Sequence, residues 1–414
     1  MCAWRDCKLG DLLEIKHGFA FLGKHFANAG SHIVLTPGSF YDDGGFKDKA
    51  EKEKWYNGPI PAEYVLDAGD IIVAMTEQAE GLLGSSAIIP RSEVYLHNQR
   101  LGLVRIRDES KTDKRFVYYL FNTKSVRQQI RASASGVKIR HTAPTRIAEV
   151  KVGVPPFPVQ RRIASILSSY DDLIENGTRR IKILEEMAQM IYREWFVSFR
   201  FPSGEKIRMA KSELGEIPKD WRVERLDKLA RITMGQSPPS EYYNTEGKGL
   251  PFHQGVTDFG ELFPENRMYC VLEQRIAEAG DILLSVRAPV GRMNITLSKI
   301  VIGRGLCALR SLLGWQPLLF QQLRDRFHEE DTMGSGTIFK AVTKEDICGL
   351  RFLCPEANIG GRFTELIGPM FEELEVLNAQ ISNLRQTRDL LLPKLISGQV
   401  SVEHLETKIA AQVS

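Results

Sequence analysis

Methyl transfer to a base drawn out of its duplex needs a polar-aromatic turn, Asn-Pro-Pro followed by an aromatic residue, and this sequence has none. Val154-Pro155-Pro156-Phe157 is an apolar imitation, without the Asn that would hold the base's amino group. A phosphate-cradling loop needs Ser or Thr directly after its Lys to meet magnesium; Gly247-Lys248-Gly249 offers neither. Glu149-x-Lys151 resembles one part of a nuclease centre, but two-metal cleavage needs several convergent carboxylates. No Pro-Asp element precedes it, and 200 residues on the same place reads Gly349-x-Arg351. The 8 His form neither His-x-x-x-His nor His-Glu-x-x-His. Cys2, Cys7, Cys270, Cys307, Cys348 and Cys354 lack zinc-site spacing. The expectation is a chain that binds rather than reacts, with no catalytic residue and no metal.

Side chains suited to binding are present. Arg127, Arg131, Lys138, Arg140, Arg146, Lys151, Arg161 and Arg162 follow one another closely. A net charge of +3 rules out an indiscriminate polycation but permits nucleic-acid binding through such a cluster. A solvated basic face would look the same, so charge alone decides nothing. With 414 residues the chain exceeds one ordinary core and suits at least two domains. No stretch approaches the ~20 apolar residues of a membrane span. The start, Met1-Cys2-Ala3-Trp4-Arg5-Asp6, has no basic-then-apolar signal region, which points to a cytoplasmic chain with reduced thiols.

The elements that position these side chains are written twice. Trp4-Arg5-Asp6-Cys7-Lys8-Leu9 recurs as Trp221-Arg222-Val223-Glu224-Arg225-Leu226, and Ala68-Gly69-Asp70-Ile71-Ile72 as Ala279-Gly280-Asp281-Ile282-Leu283. Arg100 before a Leu/Val-rich strand matches Arg304, Ser135-Gly136 matches Ser335-Gly336, and Pro155 matches Pro355. Order is kept while the offset shrinks, the mark of an internal duplication. In each copy Gly-Asp reads as a turn into a buried strand. The spacing predicts a helix over 115–131 and a shorter one over 317–327.

After each proline an apolar seam runs at alternating spacings of four and three. The first is Ile163, Leu167, Tyr170, Ile174, Gly177, Ile181, Leu184, Ala188, Ile191 and Trp195. The second, 200 residues on, is Phe363, Ile367, Met370, Leu374, Leu377, Ile381, Leu384, Arg388, Leu391 and Leu395. A mean spacing of 3.5 keeps a seam facing one partner along a supercoil, so the two helices should pair. Gly177 weakens the helix by ~1 kcal/mol against Ala, Pro369 should start or kink the second helix, and Pro393 should kink its end. Antiparallel pairing about a pseudo-two-fold axis would bring Arg388 opposite Tyr170, where it would stack on the ring. The fold class is α+β: a globular domain over 1–157, a helix over 158–200 and a linker over 201–214. A second domain over 215–355, a helix over 356–400 and a tail over 401–414 complete the chain. Duplicated readers at a fixed separation suit two half-sites on a duplex; a scaffold holding two protein partners fits equally.

The joins between modules carry a family resemblance. The run from Ile183-Leu184-Glu185-Glu186-Met187 to Tyr192-Arg193-Glu194-Trp195-Phe196, then Phe199-Arg200-Phe201, resembles the central conserved region of type I restriction-modification specificity subunits. Ser212-Glu213-Leu214-Gly215-Glu216-Ile217-Pro218 resembles that family's entry into its second reading domain. The run from Leu384-Arg385-Gln386 to Ile396-Ser397-Gly398 resembles its distal helix, and Gln160-Arg161-Arg162-Ile163-Ala164 its first helix start. The second start, Pro355-Glu356-Ala357-Asn358-Ile359, departs from the pattern. The resemblance implies a non-enzymatic subunit with two target recognition domains held by an antiparallel coiled coil. It further implies double-stranded DNA read as a bipartite site, two modification subunits bringing S-adenosylmethionine, and restriction subunits bringing ATP-driven translocation and cleavage.

The same resemblance nominates contact residues. Pro251-Phe252-His253-Gln254-Gly255-Val256-Thr257 resembles a family strand-loop, with Gln254 suited to adenine in the major groove and Thr257 adding a hydroxyl. His253 and Gln254 serve equally well as turn hydrogen-bonders. An offset of 217 places the first-domain equivalents at Thr36, Pro37 and Gly38, with Ser39 following. The 135–141 and 334–340 loops, with Lys138 and Thr337 among their contact residues, look like a second contact segment, in which Arg140 and Lys340 occupy equivalent places and meet mainly phosphates. Arg287 and Arg292 also lie in a family-like segment, as DNA contacts or as structural ion pairs.

Overall fold

The computed structural model describes residues 4–47, 53–77, 81–136, 139–202, 208–332 and 342–402. The chain divides into two compact units, Met1–Glu175 with Asn383–Ser414, and Asn176–Ser382.

In the first unit Leu13–His17, Leu101–Ile106, Ile71–Ala74 and Ser86–Ile88 form an antiparallel sheet in that order. All four residues of Ile71–Ala74 are buried because both faces are covered. Ile71 and Val73 join the core under the helices Lys114–Phe121 and Lys124–Ala132, while Ile72 and Ala74 join a separate core with Leu35 and Tyr95. The turn before this strand is the expected one: Gly69 sits at φ 83°, and buried Asp70 accepts the Asp67 N–H at 3.1 Å and pairs with Arg105. A smaller sheet of Phe26–Ala27, Trp55–Tyr56, His32–Val34 and Tyr95–Leu96 ends in a parallel pair. Arg5–Lys8 pairs with Lys151–Val154, which leads into the long helix Phe157–Tyr192.

The helix expected over 115–131 is two helices. Thr123 caps the second by accepting the Val126 N–H, and the Asn122 side chain bonds to the Ser86 backbone, so the chain turns between them. Part of the basic cluster is committed to the fold: Arg127 donates to the Asp42 and Gly81 carbonyls, Arg146 to the Ser133 carbonyl, and Arg131 pairs with Glu77.

Within this unit Ile163, Ala164 and Leu167 share a core with Leu391, Leu392, Leu395 and Ile396. Arg388 does not stack on Tyr170. Its Nη1 bonds the Asp171 carboxylate at 2.7 Å, and the Tyr119 hydroxyl donates to the other Asp171 oxygen at 2.5 Å. A carboxylate one position along offers Arg388 full charge compensation, which a ring quadrupole does not. Burial and the Asp171 charge hold the Tyr119 phenol protonated far above its usual range. Arg388→Ala should therefore leave the half-buried Asp171 carboxylate without its charge partner and destabilise this unit by about 2 kcal/mol, measured by urea unfolding; a loss under ~0.5 kcal/mol would mean a merely surface pair. The expected tail begins inside the core: Val402 is buried, and Arg162 donates to its carbonyl at 2.8 Å.

The second unit repeats the plan. Ala230–Met234, Leu306–Ser311, Ile282–Ser285 and Met293–Ile295 form the same antiparallel order, and Arg222–Arg225 pairs with Arg351–Cys354. In its smaller sheet Leu250–His253 runs parallel to Ile300–Ile302. Asp281 accepts the Glu278 N–H at 2.9 Å and pairs with Arg310, the same turn device as Asp70. The helix over this copy, Gln316–Thr332, is 17 residues long and outruns the expected 317–327. Part of the expected linker is structured, as Met209–Ser212 pairs with Gly215–Pro218.

Trp195, Phe196, Phe199, Phe201 and Phe363 gather with Trp221 where the first long helix ends in a π turn, Arg193–Val197. Helix Ala357–Ile396 neither starts nor stops at Pro369, which lies within it. Leu374 and Leu377 are buried, and Ile181 and Leu184 pack on the same core as Leu374. Gly177 faces Ile381: a Cβ there would stand 3.0 Å from Ile381 Cγ1, a tight contact that the glycine avoids. Among the seam residues, Ile163, Leu167, Ile174, Trp195 and Ile381 are buried, and Tyr170, Leu384 and Leu391 half-buried.

Candidate nucleic-acid interface

At one end of the sheets of the second unit, three backbone segments lie side by side. Gly305 N–H donates to Gln254 O at 3.1 Å, and Val286 N–H donates to Gly305 O at 2.9 Å. Gln254, Arg304 and Arg287 extend from these segments, all exposed. None has a side-chain hydrogen bond or ion pair among the described residues. The loop after Arg287 is tied down by buried Ser285, whose hydroxyl donates to Pro289 O at 2.7 Å and accepts the Arg292 N–H at 2.9 Å. Arg292 is also exposed, and neither arginine forms an ion pair among the described residues. Thr257 is exposed on the 3-10 turn Val256–Asp258.

His253 has a different place. It is wholly buried, its Nε2 lies 2.9 Å from Asn266 Oδ1, and burial pushes its pKa down, so a neutral ring braces the loop beneath Gln254. A DNA contact from it is thereby corrected: an imidazole with no accessible surface cannot meet a base edge. Ser39 is corrected on the same ground. It is 2% exposed, and its hydroxyl accepts the Thr36 N–H at 3.2 Å.

The pairing registers also move two equivalences. Val34 pairs with Leu96 as Phe252 pairs with Val301, so Thr36 answers to Gln254 rather than to His253. Leu101 faces Ala74 as Leu306 faces Ser285, so Arg100 answers to Gly305, and Gln99 to Arg304. Thr36 is half-buried, while Gln99 and Arg100 are exposed. Arg140 pairs by backbone with Glu77 in the strand Arg140–His141, is half-buried and has no ion pair among the described residues. Lys138, Thr337 and Lys340 lie outside the described residues. Arg304 and Gln99 were not singled out from sequence as contacts; the imperfect Arg100–Arg304 match was the available signal.

The arrangement offers hydrogen bonding and positive charge on a held backbone. Glu149 of the nuclease-like Glu-x-Lys is bound to Lys8 at 2.6 Å. Among the described residues no group of three metal-binding side chains converges, and no helix is long and apolar enough to cross a membrane. Along the first long helix within the second unit, Ile183, Met187 and Met190 are exposed at 48%, 38% and 59%, an apolar stripe at seam-like spacing facing away from the core.

Comparison with known proteins agrees with these observations. Residues 1–186 match the family model described as the type I restriction modification DNA specificity domain. A Methanocaldococcus jannaschii chain assigned as the MjaX type I restriction enzyme specificity subunit is 31% identical over 83% of this chain and 81% of its own length. The MjaIX specificity subunit of the same organism is 29% identical over 70% of each chain. The fold is shared with the crystal structure of a type I restriction-modification S subunit from M. genitalium, at a TM-score of 0.62 and 16% identity over 95% of this chain and 96% of that one. The duplicated α+β plan, the paired long helices and these likenesses together place the chain in the family of type I restriction enzyme specificity subunits.

Proposed function

We propose that the chain is the non-catalytic DNA-reading subunit of its complex, that each globular domain reads one half of a bipartite site, and that the paired helices set the spacer and dock two modification subunits. One observation carries this reading: the same sheet plan occurs twice, each time with exposed polar side chains at the same corner. Phosphate contacts from Arg140 and its neighbours position the duplex, while Gln254 and Thr257 meet base edges. The exposed stripe of Ile183, Met187 and Met190 supplies apolar area for a modification subunit. S-adenosylmethionine then sits on the modification subunits and ATP on the restriction subunits. The likeness between this chain and subunits whose names specify restriction enzymes supports that division.

Mapping methylated bases across the genome, with and without this chain, tests the reading. A bipartite methylated motif that vanishes with the chain is expected; an unchanged methylome overturns it. The purified chain alone should neither methylate nor cleave DNA, and methyl transfer by it would remove the division of labour. Within the second half-site, Gln254→Ala should relax discrimination at one base pair by ~1–3 kcal/mol. Arg140→Ala should instead weaken all sequences alike and lower the slope of binding against salt by about 1. Competition binding across several salt concentrations separates the two, and equal losses on specific and random DNA for both variants would erase the assignment.

A further inference from the structure

We infer that Gly303-Arg304-Gly305 is a base-reading turn, with Arg304 taking a guanine edge in the half-site of the second domain; this rests on the reading of the chain as a DNA reader. The backbone around Arg304 is held on every side. Gly303 N–H donates to His253 O at 2.8 Å, Gly305 N–H to Gln254 O at 3.1 Å and Arg304 N–H to Ser237 Oγ at 3.2 Å. Val286 N–H donates to Gly305 O, and Leu306 N–H closes the turn on Gly303 O at 3.0 Å. Both glycines are demanded by crowding: a Cβ would stand 2.8 Å from the Gln254 Cα at position 303, and 2.5 Å from the Gln254 carbonyl oxygen at position 305.

An arginine kept only for solubility needs none of this. A flexible cation anywhere on the surface also suffices for a phosphate. A guanidinium whose Cα is fixed, and which has no carboxylate partner among the described residues, suits a target with demanding geometry. Its planar fork matches O6 and N7 of guanine in the major groove. Gln254, on the adjoining segment, is the amide counterpart suited to a neighbouring adenine.

The first unit shares part of this turn around a different side chain. Leu101 N–H closes on Asn98 O at 2.9 Å, and Met75 N–H donates to Arg100 O at 3.0 Å, the places taken by Leu306 and Val286. A Cβ on Gly18 would stand 2.1 Å from Asn98 O, as one on Gly235 would from Gly303 O. The exposed centre is Gln99 rather than Arg304. Two of the framing bonds are kept around a central residue of changed chemistry, while Asn98 and Arg100 stand where the second unit has glycines and the Arg100 N–H turns to Asn98 Oδ1; readers of different half-sites require such a change at the centre.

The test assembles the full-length chain with its modification subunits and selects bound sites from a random duplex library at fixed salt. Arg304→Gln should relax the preference for guanine at one position of a single half-site by about 5- to 100-fold. The other half-site and the thermal midpoint should stay unchanged. Unaltered base preference, or an equal loss on every sequence, would overturn the inference and make Arg304 a phosphate contact or a bystander. Failure of the wild-type complex to select any sequence would instead overturn the DNA-reading function itself.

Discussion

Exchanging the first globular domain for that of a relative should change one half of the methylated site and leave the other untouched. Each unit has its own cores and its own exposed corner, so no side chain assigned to one half-site is needed to build the other. The junction belongs after Val154 and not a few residues earlier, because Lys151–Val154 pairs along its whole length with Arg5–Lys8. The incoming domain must also supply partners for the helix: here Gln160 accepts the Asp113 N–H at 2.9 Å, and Asp171 accepts from Tyr119. The expected effect is large, since specific sites are typically bound ~10³–10⁷ times more tightly than random DNA, and that preference should transfer to the new half. Methylome mapping of the exchanged strain checks it. Alteration of both halves would mean that the domains do not read independently.

Lengthening both long helices by one heptad should lengthen the unspecified spacer and leave the half-site sequences alone. Seven residues keep the seam in phase and add ~10 Å at ~1.5 Å per residue, about three base pairs at ~3.4 Å each. Insertions after Glu175 and Ser382, the borders of the compact units, avoid the Asp171–Arg388 pair and the Gly177–Ile381 contact. Four inserted residues would turn the seam out of register and should impair folding. Site selection from a random-spacer library reads the outcome. A folded heptad variant with the original spacer would mean that the helices hold partners without measuring DNA.

The duplication, the α+β class and the two seams were legible in the residues because they depend on local periodicity. Four-three spacing predicts which face of a helix is buried, and Ile163, Leu167, Leu374 and Leu377 are buried as that spacing requires. Gly-Asp before a run of Ile and Val predicts a turn into a strand, and Asp70 and Asp281 each cap one. Competing partners were not legible. Arg388 found Asp171 and not Tyr170, since a charge one position along outweighs a ring, and only the packed helices decide which side chain is nearer. Gly177 reads as a weakness in the helix, and only the packed helices place Ile381 against the space its missing Cβ leaves. Strand register was equally hidden: a one-residue slip looks harmless in an alignment of repeats, yet it exchanges Arg100 for Gln99 as the counterpart of Arg304. Burial separated His253 from Gln254, neighbours with similar hydrogen-bonding chemistry. Sequence supplied the side chains able to read a base; the tertiary fold decided which have an accessible edge, because the chain leaves its buried strand end at His253 and turns into solvent at Gln254.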